Sequence, residues 1–295
     1  MHSGGWKVMK TIRPLLVLCF ALALLAGCRG EDPLAKFVTA VDVRSFNYVS
    51  SQCRSAVVMP DVGYAATFDD DNRTASLTIS NLAMTSDETP VTLMFDDVEW
   101  TYRLDVPGKA RTIKADELIP SNVETSGGIT LKDVVIVYFE ASAADENHSH
   151  GFYIHYYVNG VYEVTAFPYD MQSAGATRVR DESTGVETVD YDTEFALTLD
   201  PEAMTASMTV TGLDGPVESL CVEGMGLTLS NTGFGLSQKE RTSWQAVPAG
   251  TDAEISDITV AADETGSMEV DFVLTVNGGD YRVTAFLYSN LNFSE

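Results

Sequence analysis

Beyond residue 37 the chain reads as short segments with apolar residues at every second position. Ala75, Leu77 and Ile79 alternate with Thr74, Ser76, Thr78 and Ser80. Val98, Trp100, Tyr102 and Leu104 alternate with Glu99, Thr101, Arg103 and Asp105. A period of two is the signature of strands with one face buried and one face wet. Val134 to Phe139 is apolar on both faces, as in a strand covered on both sides. Phe152 to Val158 is rich in aromatics. No stretch carries a long helical stripe, so the pattern predicts an all-β protein.

A hairpin signal occurs twice. Val158-Asn159-Gly160 leads to Tyr162–Phe167, and Val276-Asn277-Gly278 leads to Tyr281–Phe286. Asn-Gly tolerates the positive φ angles of a tight turn. Other blocks recur in the same order. Thr74–Leu82 matches Thr205–Leu213, each preceded by an acidic turn, Asp69–Arg73 and Asp200–Met204. Ile129–Val134 answers Ile255–Val260. Aligned through the Asn-Gly turns, His155 falls on Val273, Tyr156 on Leu274 and Tyr157 on Thr275. The recurrence predicts two tandem antiparallel β-barrel or β-sandwich domains arising from an internal duplication. The expected boundaries are a first domain at 37–170, a linker or small hairpin at 171–190, and a second domain at 191–295.

The first residues break this pattern. Lys7, Lys10 and Arg13 precede an apolar run from Leu15 to Leu25, too short for a comfortable membrane span. The run ends in Leu25-Ala26-Gly27-Cys28, which resembles a bacterial lipobox. Residues 1–27 are read as a signal peptide, Cys28 as the acylated residue, and 28–36 as a tether. Several acyl chains bury enough methylenes to hold a protein firmly at a membrane.

Composition narrows the partners. The chain holds 43 acidic against 18 basic residues, a net charge of −25, and the leader contains three of the cations. Without a basic footprint it is not a nucleic-acid binder. Cys53 and Cys221 lie in different halves, either bridged or as separate thiols.

The lipobox, the acidic residues Glu31 and Asp32 soon after Cys28, and two β domains together resemble the cell-surface lipoproteins of Bacteroides-type bacteria. That resemblance implies an outer-membrane location, surface display and a non-enzymatic binding or assembly role. Two alternatives go with it. One is a structural or adhesive subunit similar to lipoprotein fimbrillins; the other is a carrier of a small apolar ligand in a calycin-like barrel. The candidate partners are a glycan, an apolar ligand or a protein.

No catalytic residue is singled out. Gly-x-Ser-x-Gly is absent, as are phosphate-binding and dinucleotide fingerprints. His148 and His150, beside Asp145 and Glu146, have metal-like spacing, but the second half has no histidine at Gly266 or Met268. Asp69-Asp70-Asp71-Asn72 is acidic without the spacing of an EF-hand loop. The expectation is therefore no cofactor, no metal and no enzyme. Trp100, Tyr102, Tyr156 and Tyr157 are the candidate ligand contacts, as aromatic rings that stack on sugars or line an apolar site.

Overall fold

In a computed structural model the chain is all β. The structure describes residues 40–103, 110–122, 124, 126–139, 152–238, 242–243, 253–263 and 267–289. The signal segment, Cys28 and the tether lie outside the described residues.

Eight strands form the first barrel: β1 (Ala40–Ser51), β2 (Arg54–Asp69), β3 (Thr74–Leu82), β4 (Val91–Arg103), β5 (Ala110–Leu118), β6 (Leu131–Phe139), β7 (Phe152–Val158) and β8 (Tyr162–Pro168). Each pairs with the next, and β8 returns to β1 through Phe46↔Phe167 and Val49↔Val164, closing the ring. The remaining strands are β9 (Asp170–Asp181), β10 (Glu187–Asp190), β11 (Glu194–Asp200), β12 (Thr205–Thr211), β13 (Ser219–Ser230), β14 (Gly233–Gln238), β15 (Thr242–Ser243), β16 (Ala253–Asp263), β17 (Ser267–Val276) and β18 (Gly279–Ser289). They run β9-β11-β12-β13-β14-β16-β17-β18, and the β9–β18 pairing closes this second ring of eight. The open choice between sandwich and barrel is settled as two barrels.

Of the linker or small hairpin expected at 171–190, the structure shows a hairpin. Asp181 and its neighbours form a small hairpin with β10, through Thr177↔Asp190 and Arg180↔Glu187. Yet β9 is also a full stave of the second barrel, pairing with β11 and β18. Residues 182–185 form the hairpin's tip. There Asp181 Oδ1 accepts bonds from the Ser183 and Thr184 amides at 2.8 and 3.0 Å.

The rings match strand for strand and share some of their irregularities. The β3–β4 ladder shifts register between Ala75 and Leu77, and the β12–β13 ladder between Ala206 and Met208. Positive φ angles recur at Arg73 and Met204, at Asp97 and Gly224, and at Asp133 and Asp257. Bulges bend a strand at a fixed place, so shared bulges mean shared curvature.

Register corrects two of the sequence alignments. Leu131 pairs with Val158, and Ile255 with Leu274, so Leu131 and Ile255 are equivalent, as are Val158 and Leu274. His155 then corresponds to Asp271, Tyr156 to Phe272 and Tyr157 to Val273. The alignment through the Asn-Gly turns was two residues out because the β17–β18 hairpin is longer, with extra pairs Thr275↔Asp280 and Val276↔Gly279. A slip of two keeps every side chain on its own face, so alternation could not reveal it.

Both interiors are filled. Phe68, Leu77, Ile79, Leu93 and Tyr138 are among the buried residues of the first core, and Phe195, Leu197, Met208, Val222 and Phe272 of the second. The outward positions of strands such as β12 are Thr205, Ser207 and Thr209, so the barrels face water, the reverse of a membrane-spanning barrel. Among the described residues no helix is long and apolar enough to cross a membrane.

The barrels meet at a packed seam. Phe46 and Phe167, on the outside of the first ring, join the core cluster of the second, and Phe167 lies 6.2 Å from Phe234 between ring centroids. Asn231 donates through Nδ2 to Ser50 Oγ at 2.8 Å, and its carbonyl accepts from Thr165 Oγ1 at 3.0 Å. Cys53 is exposed and Cys221 half-buried; both are free thiols, so no bridge clamps the barrels.

Candidate functional site

The β2–β3 turn builds one end of the first barrel. Asp69 caps it: Oδ1 accepts from the Asp71 and Asn72 amides at 2.9 and 3.1 Å, and Oδ2 from Asn72 Nδ2 at 2.8 Å. The acidic run is thus organised as a turn. Asp200 does the same in the second barrel, accepting from the Glu202 and Ala203 amides at 3.0 and 2.9 Å.

Over this turn the first barrel stacks rings and guanidiniums. Trp100 donates its indole N–H to the Thr74 carbonyl at 3.1 Å and sets its ring 5.4 Å from Phe68 and 4.9 Å from Tyr102. The Arg73 guanidinium lies 4.8 Å from the Trp100 ring and 4.7 Å from Tyr102. Arg111 approaches the same group from the interior, 5.2 Å from both Phe68 and Trp100 and 5.8 Å from Tyr102. Arg111 is only 3% exposed and pairs with Asp70 at 3.3 Å. Cation–π contacts and this carboxylate offset part of the cost of burying the charge.

The second barrel keeps the backbone and drops the chemistry. Trp100 N–H donates to the Arg73 carbonyl at 3.1 Å; Leu227 N–H donates to the Met204 carbonyl at 2.9 Å. Tyr102 pairs with Arg111 where Leu229 pairs with Phe234. Arg73, Trp100, Tyr102 and Arg111 are therefore replaced by Met204, Leu227, Leu229 and Phe234. The fold does not require the cationic and aromatic set, since the same ring closes without it.

The candidate aromatics divide accordingly. Trp100 and Tyr102 stand together at this end. Tyr156 is buried in the core, its hydroxyl 2.8 Å from that of Tyr64, which also donates to Asn47 Oδ1 at 3.0 Å. Burial first, then the neighbouring Tyr156 hydroxyl, push the Tyr64 pKa well up. Tyr157 lies on the outer face, opposite Glu163 and Lys132. Partial burial and then Glu163 raise its pKa. No common site joins all four.

His155 is also on the outer face, its Nε2 3.1 Å from Glu163 Oε1 and its ring parallel to Tyr153. Its equivalent pair in the second barrel is Asp271 with Arg282, at 2.7 Å. An outward polar pair in both copies fits a structural role. His148, His150, Asp145 and Glu146 lie outside the described residues. Among the described residues no group of three His, Cys, Asp or Glu could hold a metal.

Sequence reasoning missed Arg73 and Arg111. Arg73 was legible, because the aligned acidic turns set it against Met204. Arg111 was not, because β5 and β14 share no recognisable residues.

No family model matches the sequence, and no curated protein matches it. Among solved structures, it is similar to the isotype 1 transferrin binding protein B from serogroup B Neisseria meningitidis. That match has 7% identity and a TM-score of 0.25, covering 85% of this chain and 77% of the other. A likeness at that level leaves the fold resting on the strand pairings above. Those pairings define a protein of two tandem, water-facing, closed antiparallel barrels.

Proposed function

We propose that this is a non-catalytic, lipid-anchored envelope protein, held at the outer membrane by acyl chains on Cys28 and displayed outward on its acidic tether. Its two barrels descend from one duplicated unit, a reading supported by their shared bulges. It binds a partner through the end of the first barrel formed by Arg73, Trp100, Tyr102 and Arg111. The observation that carries this is the contrast between Arg111 and Phe234. A nearly buried guanidinium is kept at a position where the same fold accepts a phenyl ring. Retaining a costly charge where an apolar residue suffices favours a role in recognition.

The two alternatives have less support. Strand exchange needs an open sheet, and both rings are closed. A carrier of apolar ligands needs an apolar hollow, whereas hydroxyls meet inside the first barrel.

Two measurements test the proposal. Cys28→Ser is expected to abolish labelling by a palmitate analogue and to move the protein out of the membrane fraction. Arg111→Phe is expected to keep the fold by circular dichroism and to lose binding to whichever glycan, vesicle or cell-surface protein the wild type retains. Binding unchanged in Arg111→Phe removes the assigned role of this end.

A further inference from the structure

β10 stands outside the closed ring and keeps one side unpaired. It pairs with β9 alone. β12 ends at Thr211, and Gly212, at a φ of 70°, turns the chain away, so no third strand follows. The Asp181 amide donates to the Val186 carbonyl at 2.9 Å, which fixes the alternation along this hairpin. Val186, Thr188 and Asp190 turn their backbone groups toward β9; Glu187 and Val189 turn theirs outward. Among the described residues no backbone hydrogen bond reaches that outward side. The loop after β12 passes on the inner side, where the Asp214 carbonyl accepts from Thr188 Oγ1 at 3.1 Å.

Sheet edges are often blunted by proline, lysine or a bulge. Glu187-Thr188-Val189-Asp190 has neither proline nor lysine, and its ladder with β9 runs without a shift. The two barrels differ at this place. In the first, the equivalent of the Arg178–Val189 pair is Tyr48–Val58, which packs against the second core at the seam. In the second, the pair faces water, with Val189 46% exposed and Tyr191, just beyond the strand, 71%.

Charge and register identify the occupant. The chain carries a net charge of −25, so two copies repel over most of their surfaces. Among the described residues of the second barrel, every Lys or Arg lies beside this edge: Arg178, Arg180 and Arg282, outward on β9 and β18. Two β10 strands set antiparallel about Thr188 bring Glu187 opposite Val189 of the other copy. Both residues turn their backbone groups outward, so the pairs bond without a slip in register. No like charges fall opposite each other. Glu187 of one copy then lies just beyond Val189 from Arg178 of the other. The two ladder spacings put their Cα atoms about 10 Å apart, within reach of both long side chains. Tyr191 falls across from Gly185, beside which there is open space. Each pairing occurs twice, as a two-fold axis requires.

We propose that β10 is a dimerisation edge, which pairs antiparallel with β10 of a second copy through Glu187 and Val189. It uses none of the residues assigned to the end of the first barrel and does not depend on them.

The test uses the full chain in detergent. Native mass spectrometry is expected to show a dimer whose share rises with concentration. Val189→Pro removes an N–H that faces only the open edge, and Val189→Lys sets a charge there. Each should weaken dimerisation about tenfold or more, and circular dichroism checks that the fold is kept. Thr188→Cys in a Cys53→Ser background puts two thiols at the axis and should crosslink under mild oxidation. Ala196→Cys in the same background, exposed on β11 but flanked by β9 and β12, should not. A wild type that stays monomeric at every concentration would overturn the proposal. So would a dimer that survives both Val189 substitutions, or crosslinking at 188 no stronger than at 196. A monomer that instead binds an extended acidic peptide at this edge would give the edge to a different partner.

Discussion

Arg111 in the first barrel and Phe234 in the second occupy the same station. Each sits on the strand after the fourth stave, opposite Tyr102 in one case and Leu229 in the other. Around them the substitutions run in one direction. Tyr64 becomes Phe195, Tyr156 becomes Phe272, and Tyr138 becomes Ala262, as the ladder partners require. The second barrel shows what the fold needs: a closed ring whose filling is mostly apolar, with the small hydroxyls of Ser173 and Thr177. The first adds tyrosine hydroxyls and a buried guanidinium. Their presence agrees with the recognition role proposed above for that end of the barrel.

The largest effect tests the shared part. Tyr156→Ala and Phe272→Ala remove equivalent interior rings, and each is expected to cost about 3–5 kcal/mol in urea denaturation. Tyr156→Phe, which copies the second barrel, should cost only about 1 kcal/mol, since Tyr64 keeps its bond to Asn47. Equal losses for Tyr156→Phe and Tyr156→Ala would mean that the hydroxyl, not the ring, holds the barrel together.

The next effect separates the charge from the fold. Arg111→Phe replaces a buried ion pair by an apolar ring. The expected outcome is unchanged stability or a gain of about 1–4 kcal/mol. Asp70→Ala leaves the guanidinium without this carboxylate and should lose about 1–3 kcal/mol. A strongly destabilised Arg111→Phe would make Arg111 a structural residue and break the contrast with Phe234.

Alkali should tell the barrels apart. Burial raises the pKa of Tyr64, Tyr138 and Tyr156 in the folded state. Their contribution is fully present below the unfolded tyrosine value of about 10 and is lost as pH rises above it. Urea midpoints at pH 8 and pH 11 are expected to fall more for wild type than for Tyr64→Phe/Tyr156→Phe, which resembles the second barrel. Identical falls would show that these hydroxyls do not govern the alkaline limit.

Acid gives the smallest effect. Hydrogen bonds from the Ser183 hydroxyl, then from the Thr184 and Ser183 amides, lower the Asp181 pKa. This stabilisation is present above the unfolded carboxylate value of about 3.9 and fades as pH falls through the lower folded one. In Asp181→Asn, amide exchange at Ser183 and Thr184 should accelerate at pH 6, with the gap to wild type closing at pH 3.

Legibility followed the range of the interaction involved. Alternation along 74–82 and 98–104 exposed the strands, because in and out are local properties of a pleat. The recurring acidic turns exposed the twofold repeat, and Asp69 and Asp200 cap their turns in the same way. The Asn-Gly turns misled the alignment. Such turns arise wherever a hairpin must be tight, and they do not fix how long its arms are. Register came from the bulges at Asp133 and Asp257, which no residue pattern announces.

By itself, the sequence determined the all-β class, the doubling of the chain, the interior faces of many strands and the acidic character of the molecule. These follow from period-two burial and turn chemistry, which act over a few residues. Only the tertiary structure decided that each half closes as a barrel, that β9 is a stave of the second ring, and that Arg73 and Arg111 meet around Trp100 and Tyr102. It also decided that Phe167 is buried at a seam while its counterpart Phe286 stands open. Each depends on pairing between distant strands, where closure and register, not local pattern, set which side chains meet.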